Sequence, residues 1–308
     1  MVYSPLTGKP ATLVDQIPIQ LVVDVYKKLV NLDVAPYFKQ ATTLSVYRCD
    51  ETGYRFYEPA VMGDSDFYKH IGHALGGYYP DWKWENNFAA QYVGPTSSVL
   101  DIGCGNGGFL QTLQRRSGCA VMGLEFSEEA ISVCQQKGLA VFDQPIETFA
   151  QEKPECFDVV CAFQVVEHIA QPKLFIEAAL KTLKIGGKLV IGVPNNDPYL
   201  FEHGKYEPLN MPPHHCGLWN ADSLRELTRL FAMSVVDIQQ EKAKSTRDLL
   251  IYPYLHTKHR IEKLIHDGNS SASLRLLDNR PAKLLLSLFN FTKNRHMGHT
   301  VVAVYEKQ

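Results

Sequence analysis

Five short apolar runs alternate with helical patterns in the middle of the chain, between residues 97 and 197. They cover residues 98–102, 120–124, 139–142, 158–163 and 188–193. Strands that are apolar on both faces and separated by helices are typical of a parallel sheet covered on both sides. The pattern therefore predicts a doubly wound α/β domain.

The 308-residue chain is longer than this one domain requires. With 45% hydrophobic and 21% charged residues it has the composition of a protein with a packed core. We expect four parts, which are an aromatic-rich N-terminal appendage or lid, the α/β domain, a helical insertion and a last strand of the sheet. Their predicted bounds are 1–90, 91–241, 242–297 and 298–308.

Apolar spacing outside the central domain predicts further elements. Helices are expected at about 19–30 and 221–231, and strands at 233–238 and 300–305. The stretch from Lys242 onward is basic, with twelve Lys and Arg against five Asp and Glu. This excess predicts either a solvated helical face or an electropositive wall that faces an anionic substrate or a membrane surface.

The overall charge and the cysteines restrict the class of protein. A formal net charge of −2 argues against a general nucleic-acid binder. Seven cysteines without a C-x-x-C pair are typical of a reduced cytoplasmic protein. We expect neither a signal peptide nor a transmembrane segment, because no apolar stretch has the required length and flanks.

A glycine-rich turn, Gly103-Cys104-Gly105-Asn106-Gly107-Gly108, follows the first central strand. Glycines allow a tight turn and a close ligand approach, and the next helix begins with free N–H groups. Glu125 ends the second strand, where an acid can accept hydrogen bonds from ribose hydroxyls. The spacing suits NAD as well as S-adenosylmethionine. Asp101, two residues before the turn, would repel a pyrophosphate and suits the ammonium group of a methionine moiety, which favours S-adenosylmethionine.

Four segments resemble, in order, the motifs of the class I S-adenosylmethionine-dependent methyltransferases. They are residues 98–105, 123–127, 157–169 and 183–189. The resemblance covers residues 84–197 and the last two strands. It implies a Rossmann-like seven-stranded sheet that is mostly parallel, with an antiparallel last strand and the helical insertion before that strand.

The resemblance also implies S-adenosyl-L-methionine as cofactor and a set of contacts with it. The methionine moiety is expected to be lined by Gly103, Cys104, Gly105 and Gly107, with Asp101 at its ammonium group. The ribose is expected at Glu125, the adenine ring against Phe126, and the adenine edge at Gln144 and Ile146. Gln164 is expected either to face the methionine end or to cap its strand.

Near the N-terminus, residues 4–8 and 47–54 resemble a zinc ribbon that some methyltransferases of this class carry. Three of the four thiolate positions are occupied by Ser4, Thr7 and Thr52, which leaves Cys49 alone. One thiolate does not hold a structural zinc ion, which needs four ligands. The segment is therefore predicted to be a metal-free relic stabilised by nearby aromatic side chains, and no metal site is expected.

A hydroxyl acceptor benefits from a base, and histidine is the side chain best suited near neutral pH. His214 and His215 follow two prolines after the fifth central strand, at the sheet edge where ligands bind. We expect one of them to be the base, although either could instead cap a helix or bond to a carbonyl. His168 is expected to pack, and the pair His70 and His73 to lie at the surface or in a lid.

The acceptor is expected to contact Tyr78, Tyr79 and Trp82. The chain lacks both a [DN]-P-P-[FY] motif after the fourth strand and a Pro-Cys dipeptide, so nucleic-acid methylation is disfavoured. We expect O-methylation of a small hydroxylated molecule, such as a sugar, a surface-glycan precursor or a secondary metabolite. An anionic or nucleotide-linked acceptor would suit the basic insertion.

Three alternatives stay open at this point. They are C- or N-methylation of a small molecule, a non-catalytic S-adenosylmethionine-binding protein, and an NAD-dependent oxidoreductase. The oligomeric state is also open.

Overall fold

The computed structural model describes residues 1–75, 81–197, 208–242 and 298–308. Its strands are β1 Ala11–Pro18, β2 Thr43–Cys49, β3 Arg55–Glu58, β4 Ser98–Ile102, β5 Ala120–Leu124, β6 Ala140–Phe142, β7 Phe157–Phe163, β8 Leu183–Pro194, β9 Gly217–Leu218, β10 Met233–Gln240 and β11 Thr300–Lys307. Its helices are α1 Ile19–Val30, α2 Ala35–Phe38, α3 Ser65–Leu75, α4 Asn86–Ala90, α5 Gly108–Ser117, α6 Glu128–Gln136, α7 Ile146–Glu152, α8 Pro172–Thr182 and α9 Ala221–Glu226.

Seven strands form the central sheet in the order β10-β11-β8-β7-β4-β5-β6. Strands β4 to β8 run parallel, and β11 is antiparallel to both of its neighbours. The mostly parallel seven-stranded sheet predicted from the sequence is thus confirmed. Because the chain winds outward from β4 in both directions, the carboxyl ends of β4 and β7 form the switch point where such sheets bind ligands.

Helices cover both faces of the central sheet. Apolar residues of α7, α8 and α9 share one core cluster with the strands, among them Phe149, Ile176 and Leu224. Residues of α4, α5 and α6 form a second cluster on the other face, among them Leu110 and Cys134. Burial of β4, β7 and β8 on both sides explains why these central runs are apolar.

The structure corrects the prediction for residues 221–231. The helix ends at Glu226, and a 3₁₀ turn, Leu227–Arg229, follows it. Asn220 caps the helix by accepting a hydrogen bond from the Ser223 N–H at 2.8 Å. Of the helical insertion predicted at 242–297, only residue 242 lies within the described part of the chain. The predicted division into four parts stays a prediction.

A second sheet of four antiparallel strands, in the order β1-β2-β3-β9, lies in the N-terminal part. The sequence did not predict it, although α1 coincides with the predicted helix at 19–30. Its core includes Tyr26, Tyr57 and Phe67, and it also takes in Met211 and Leu218 from the segment after β8. The N-terminal part is thereby joined to the loop that carries His214 and His215.

The four positions that resemble zinc ligands lie together in the structure. The Thr7 hydroxyl and the Cys49 thiol are 3.4 Å apart. Burial raises the pKa of Cys49, but hydrogen bonds with Thr52, Thr7 and Ser4 outweigh it, so that the pKa lies below its ordinary value. Hydroxyl groups thus surround the one thiol where further thiolates would stand in a zinc ribbon.

Two further observations concern the described residues. None of the helices in these four ranges is both long and apolar enough to cross a membrane. All seven cysteines lie within the described ranges, and each is a free thiol.

We predict that Cys49→Ser leaves the metal content of the purified protein unchanged. The other three ligand positions carry hydroxyl groups, which are poor zinc ligands, so the Cys49 thiol alone does not hold a zinc ion. Elemental analysis of the variant and the wild type measures this directly. Cys156→Ser, at an exposed cysteine, is the matched control. Loss of one equivalent of zinc in Cys49→Ser alone would contradict the relic interpretation.

Candidate functional site

The glycine turn leaves the carboxyl end of β4 and leads into α5. Gly103, Gly105 and Gly107 have φ angles of 71°, 53° and 70°, a region that glycine adopts at little cost. A Cβ atom at Gly103 would also lie 2.5 Å from Val165 Cγ2, in the loop after β7. The turn therefore needs glycine both for its backbone and for contact with the neighbouring loop.

Asp101 lies two residues before this turn and is 4% exposed. Among the described residues, its Oδ1 atom is buried without a hydrogen-bond partner. Burial raises the pKa of Asp101 to about 8, Lys83 lowers it, and the negative charge of Glu125 adds to the rise. A ligand with a positive charge would stabilise the ionised form of this buried carboxyl group.

Glu125 follows β5 and binds the neighbouring backbone with both of its oxygens. Oε2 accepts the Gly105 N–H at 2.8 Å, and Oε1 accepts the N–H groups of Phe126 and Ser127 at 2.8 and 2.9 Å. The carboxylate thus fixes the glycine turn against β5. The Phe126 ring beside it is 63% exposed, so one of its faces is accessible to a flat ligand.

Three of the other predicted cofactor contacts have side chains that are already engaged. Cys104 packs against Gly123, where a Cβ atom would lie 2.5 Å from its sulfur, and Ile146 is buried in the core. Gln144 donates a hydrogen bond to Glu152 at 2.9 Å. Contacts of Cys104 and Ile146 with a cofactor would therefore involve their backbone. The role of all three residues stays a prediction.

Gln164 directly follows β7 and has a φ angle of 59°, which is uncommon for a residue with a side chain. Its N–H donates to the Gly192 carbonyl oxygen at 2.7 Å, which holds this conformation. Its amide donates to Glu85 Oε1 at 3.4 Å. Backbone strain of this kind is concentrated at functional sites.

Burial raises the pKa of Glu85, the partner of Gln164, which the sequence did not single out.

The loop between β8 and β9 is held by the N-terminal part of the chain. The Tyr26 hydroxyl donates to the Met211 carbonyl oxygen at 2.8 Å, and the Gly63 N–H donates to that of Pro213 at 2.8 Å. The N–H groups of His214 and His215 both donate to the Met211 carbonyl oxygen, at 3.0 and 3.1 Å. These bonds turn both imidazole rings toward the segment after β7.

His168, His214 and His215 meet there and form what we call the histidine cluster. One ring nitrogen of each lies within 4.8 Å of the others, and the ring centroids are 4.5–4.7 Å apart. His168 Nδ1 donates to the His214 carbonyl oxygen at 2.6 Å, and His214 Nδ1 donates to that of Leu209 at 3.1 Å. The sequence had assigned His168 to packing and did not predict that the three rings meet.

Glu167 lies next to the histidine cluster and is 0% exposed. Its Oε1 atom is 3.9 Å from His168 Nε2 and 4.0 Å from His215 Nε2. Neither carboxyl oxygen has a hydrogen-bond partner among the described residues. Burial raises the pKa of Glu167 to about 8, and the charge of Lys83 lowers it.

Burial also determines the protonation of the three imidazoles. It lowers the pKa of His168 to about 4 and, together with the charge of His168, that of His214 to about 3. The pKa of His215 lies well below its ordinary value for the same reason. All three rings are thus neutral at physiological pH. A general base with so low a pKa accepts protons weakly, so the predicted role of His214 or His215 as base stays a proposal.

Of the predicted acceptor contacts, Tyr78 and Tyr79 lie outside the described residues. Trp82 packs on α5, with its ring centroid 5.6 Å from that of Phe109 and the Arg116 guanidinium 4.6 Å from its centroid. This position is close to the start of α5, because Asp81 lies against Gly108. A role of Trp82 in acceptor binding stays a prediction.

Glu167 was missed as a site residue because single-sequence patterns do not indicate which polar residues are buried. The sequence did contain a signal, since Glu167-His168 follows a strand of the predicted ligand-binding edge. The other half of the cluster comes from a loop 46 residues further along the chain. Spacing alone could not join the two.

The geometry can now be compared with known proteins. A family model described as "Methyltransferase domain" matches residues 80–236, which is more than half of the chain. The chain belongs to the class I S-adenosylmethionine-dependent methyltransferases. The family resemblance stated from the sequence is thereby confirmed, and S-adenosylmethionine is the cofactor of this family.

Curated relatives share part of their length with this methyltransferase. The ubiquinone biosynthesis O-methyltransferase of Pseudomonas fluorescens strain SBW25 is 37% identical over 111 residues, which are 33% of this chain and 47% of the relative. The enzyme of the same name from Idiomarina loihiensis is 35% identical over 105 residues, 32% of this chain and 43% of the relative. The matched part therefore spans about half the length of these relatives.

One solved structure supports the fold. It is the methyltransferase in complex with the Haloferax volcanii Trm112 methyltransferase activator. The TM-score is 0.50 at 16% identity, and the match covers 79% of this chain and 97% of that one. At this identity, the similarity concerns the fold alone.

The residues at the switch point fit S-adenosylmethionine. The buried Oδ1 atom of Asp101, without a partner among the described residues, suits the ammonium group of the methionine moiety. Glu125 directly follows β5, where an acid can accept hydrogen bonds from ribose hydroxyls, and the exposed Phe126 ring stands beside it. Asp101 and Glu125 are therefore the residues we expect to hold the cofactor, which supplies a methyl group on a positively charged sulfur.

We predict that Asp101→Asn weakens the binding of S-adenosylhomocysteine by about 1–3 kcal/mol, the range for a hydrogen bond to a charged group. The amide keeps the shape of the side chain and removes its charge. Calorimetric titration measures the affinity, with the exposed Asp222→Asn as control. Equal affinity of Asp101→Asn and the wild type would contradict the assignment.

We also predict that S-adenosylhomocysteine binds more tightly as the pH rises from about 6 to about 8. The pKa of Asp101 is raised to about 8 in the free protein, so the carboxyl group is mainly protonated at pH 7. The ammonium group favours the ionised form, and binding therefore releases a proton below about pH 8. Calorimetry in buffers of different ionisation enthalpy measures this proton. The prediction would be contradicted if Asp101→Asn released as many protons as the wild type on binding S-adenosylhomocysteine.

Proposed function

We propose that this protein is an O-methyltransferase that transfers the methyl group of S-adenosylmethionine to a hydroxyl of a small molecule. The observation that carries the proposal is the position of the histidine cluster. His168 and Glu167 follow β7 by a few residues, and Asp101 lies near the end of the neighbouring strand β4. Polar groups suited to a hydroxyl thus lie at the sheet edge that also carries the cofactor residues.

The reaction is an in-line displacement. The acceptor oxygen forms a bond to the methyl carbon while the carbon–sulfur bond breaks, and the bonding electron pair returns to the sulfur. The hydroxyl loses its proton in the process, and a neutral imidazole nitrogen of His214 or His215 can accept it. The remaining task of the protein is to hold the oxygen, the carbon and the sulfur in line.

Two further observations support a small hydroxylated acceptor. The curated relatives of the matched part carry the name O-methyltransferase. Histidine and glutamate side chains bind and activate hydroxyl groups. We propose a sugar, a surface-glycan precursor or a secondary metabolite, and an anionic or nucleotide-linked form would suit the basic stretch after Lys242. The seven free cysteines fit a cytoplasmic location.

We predict that the protein transfers a labelled methyl group from S-adenosylmethionine to an oxygen atom when it is offered a panel of hydroxylated sugars and phenols. Mass spectrometry identifies the product and the methylated atom. Panels of amines and of acceptors without a hydroxyl group are the controls. Transfer to nitrogen or carbon alone would contradict the proposal and favour the N- or C-methyltransferase alternative.

Substitution of the cluster tests its role in this reaction. His215→Asn is expected to lower turnover about 10²–10⁴-fold, the range for loss of a group that assists proton transfer. His73→Asn, at an exposed histidine of α3, is the matched control. Affinity for S-adenosylhomocysteine is expected to stay unchanged in both variants. If His215→Asn turned over as fast as the wild type, the result would contradict a role of the histidine cluster and would show that the acceptor binds elsewhere.

A further inference from the structure

We propose that the histidine cluster, together with Glu167, is a binding site for one divalent transition-metal cation. The site itself follows from the geometry of the cluster. Only its role in activating the acceptor hydroxyl rests on the proposed function. The expectation of a metal-free protein came from the missing thiolates near the N-terminus, and the histidine cluster is a separate place in the fold.

The spacing of the ring nitrogens fits coordination of one ion. One nitrogen of each of the three histidines lies within 4.8 Å of the other two. A metal ion with bonds of about 2.1 Å holds its ligand atoms about 3–4 Å apart. Ring movements of less than about 1 Å would therefore close the three nitrogens around an ion.

The second ring nitrogens are held in the manner typical of metal ligands. A metal-binding histidine usually donates its other N–H to a carbonyl or carboxylate, which fixes the ring and its tautomer. His168 Nδ1 donates to the carbonyl oxygen of His214, and His214 Nδ1 donates to that of Leu209. With the proton on Nδ1, the lone pair of a neutral imidazole lies on Nε2. Two of the three rings thus have the orientation that a metal site requires.

Glu167 supplies the negative charge that such a site needs. Its carboxyl group is completely buried, and neither oxygen accepts a hydrogen bond from any described residue. Oε1 lies at 3.9 and 4.0 Å from the Nε2 atoms of His168 and His215. Leaving a carboxyl group buried without partners is costly, and a cation bound beside it offsets that cost.

Lys83 could compete with a metal ion for Glu167, because its positive charge acts on that carboxyl group. It makes no hydrogen bond to either Glu167 oxygen, since both are without partners among the described residues. Its charge acts on Asp101 and Glu85 as well. Lys83 therefore does not take the place of a metal ion at the centre of the histidine cluster.

The ligand types select the class of metal. Three imidazoles and one carboxylate suit Zn²⁺, Co²⁺, Fe²⁺ or Mn²⁺, whereas Mg²⁺ and Ca²⁺ prefer sites made of oxygen atoms. A cation of this class lowers the pKa of a hydroxyl group that reaches it. With the ion bound, the three histidines act as ligands, which replaces the role of His214 or His215 as base, and the hydroxyl proton passes to solvent. This arrangement removes the need for a strongly basic histidine.

Cobalt binding tests the site without any acceptor. The full-length protein is stripped with a chelator and titrated with Co²⁺ alone, and the visible absorption of the ion reports the nitrogen ligands. We expect one Co²⁺ per chain. We expect Glu167→Gln and His215→Asn to bind it at least tenfold more weakly, and His73→Asn to bind it like the wild type. Unchanged affinity for S-adenosylhomocysteine shows that each variant is folded.

The outcomes separate the metal site from the proposed function. Absence of cobalt absorption, or equal binding by the wild type and by both cluster variants, overturns the metal site even if the stripped protein still methylates hydroxyl groups. Stoichiometric binding that both cluster substitutions weaken supports the site, also when no hydroxyl acceptor is methylated. In that last case the proposed function fails and the metal site stands.

Discussion

Two buried carboxyl groups determine the character of this protein's sheet edge, because Asp101 Oδ1 and both Glu167 oxygens have no hydrogen-bond partner among the described residues. Asp101 is the next-to-last residue of β4, and Glu167 follows β7, the strand next to it. Burial raises the pKa of each to about 8, because it removes the carboxylate from water, although the charge of Lys83 lowers both values. Each of them is matched to a cation, and we assign the methionine ammonium group to Asp101 and a metal ion to Glu167.

The N-terminal part of the chain holds one half of the histidine cluster in place. Tyr26 of α1 donates its hydroxyl to the Met211 carbonyl oxygen in the loop that carries His214 and His215, and β9 of that same segment completes the N-terminal sheet. The imidazoles are thereby held by backbone bonds instead of by flexible contacts. Sites that are held in this way need little reorganisation when a ligand binds. The hydroxyl groups around Cys49, a residue of β2, belong to the same part of the chain.

The central fold could be predicted because each strand of a parallel sheet leaves a local apolar signal. The runs that became β4, β5 and β7 are visible without knowledge of their partners. Asp101 and Glu125 could be proposed as cofactor residues from their position near the ends of strands. The N-terminal sheet and the histidine cluster were not predicted, since both depend on contacts between distant segments. Met211 and Glu167 show this most clearly, because neither belongs to a local pattern that reports its burial.

A crystal structure with S-adenosylhomocysteine and Mn²⁺ would test the assignment of both cations at once. The account predicts the ligand's amino group within about 3 Å of the Asp101 carboxylate. It also predicts an anomalous difference peak about 2.0–2.2 Å from ring nitrogens of His168, His214 and His215. Ligand density away from Asp101, or a map without a peak between the three rings, would contradict it.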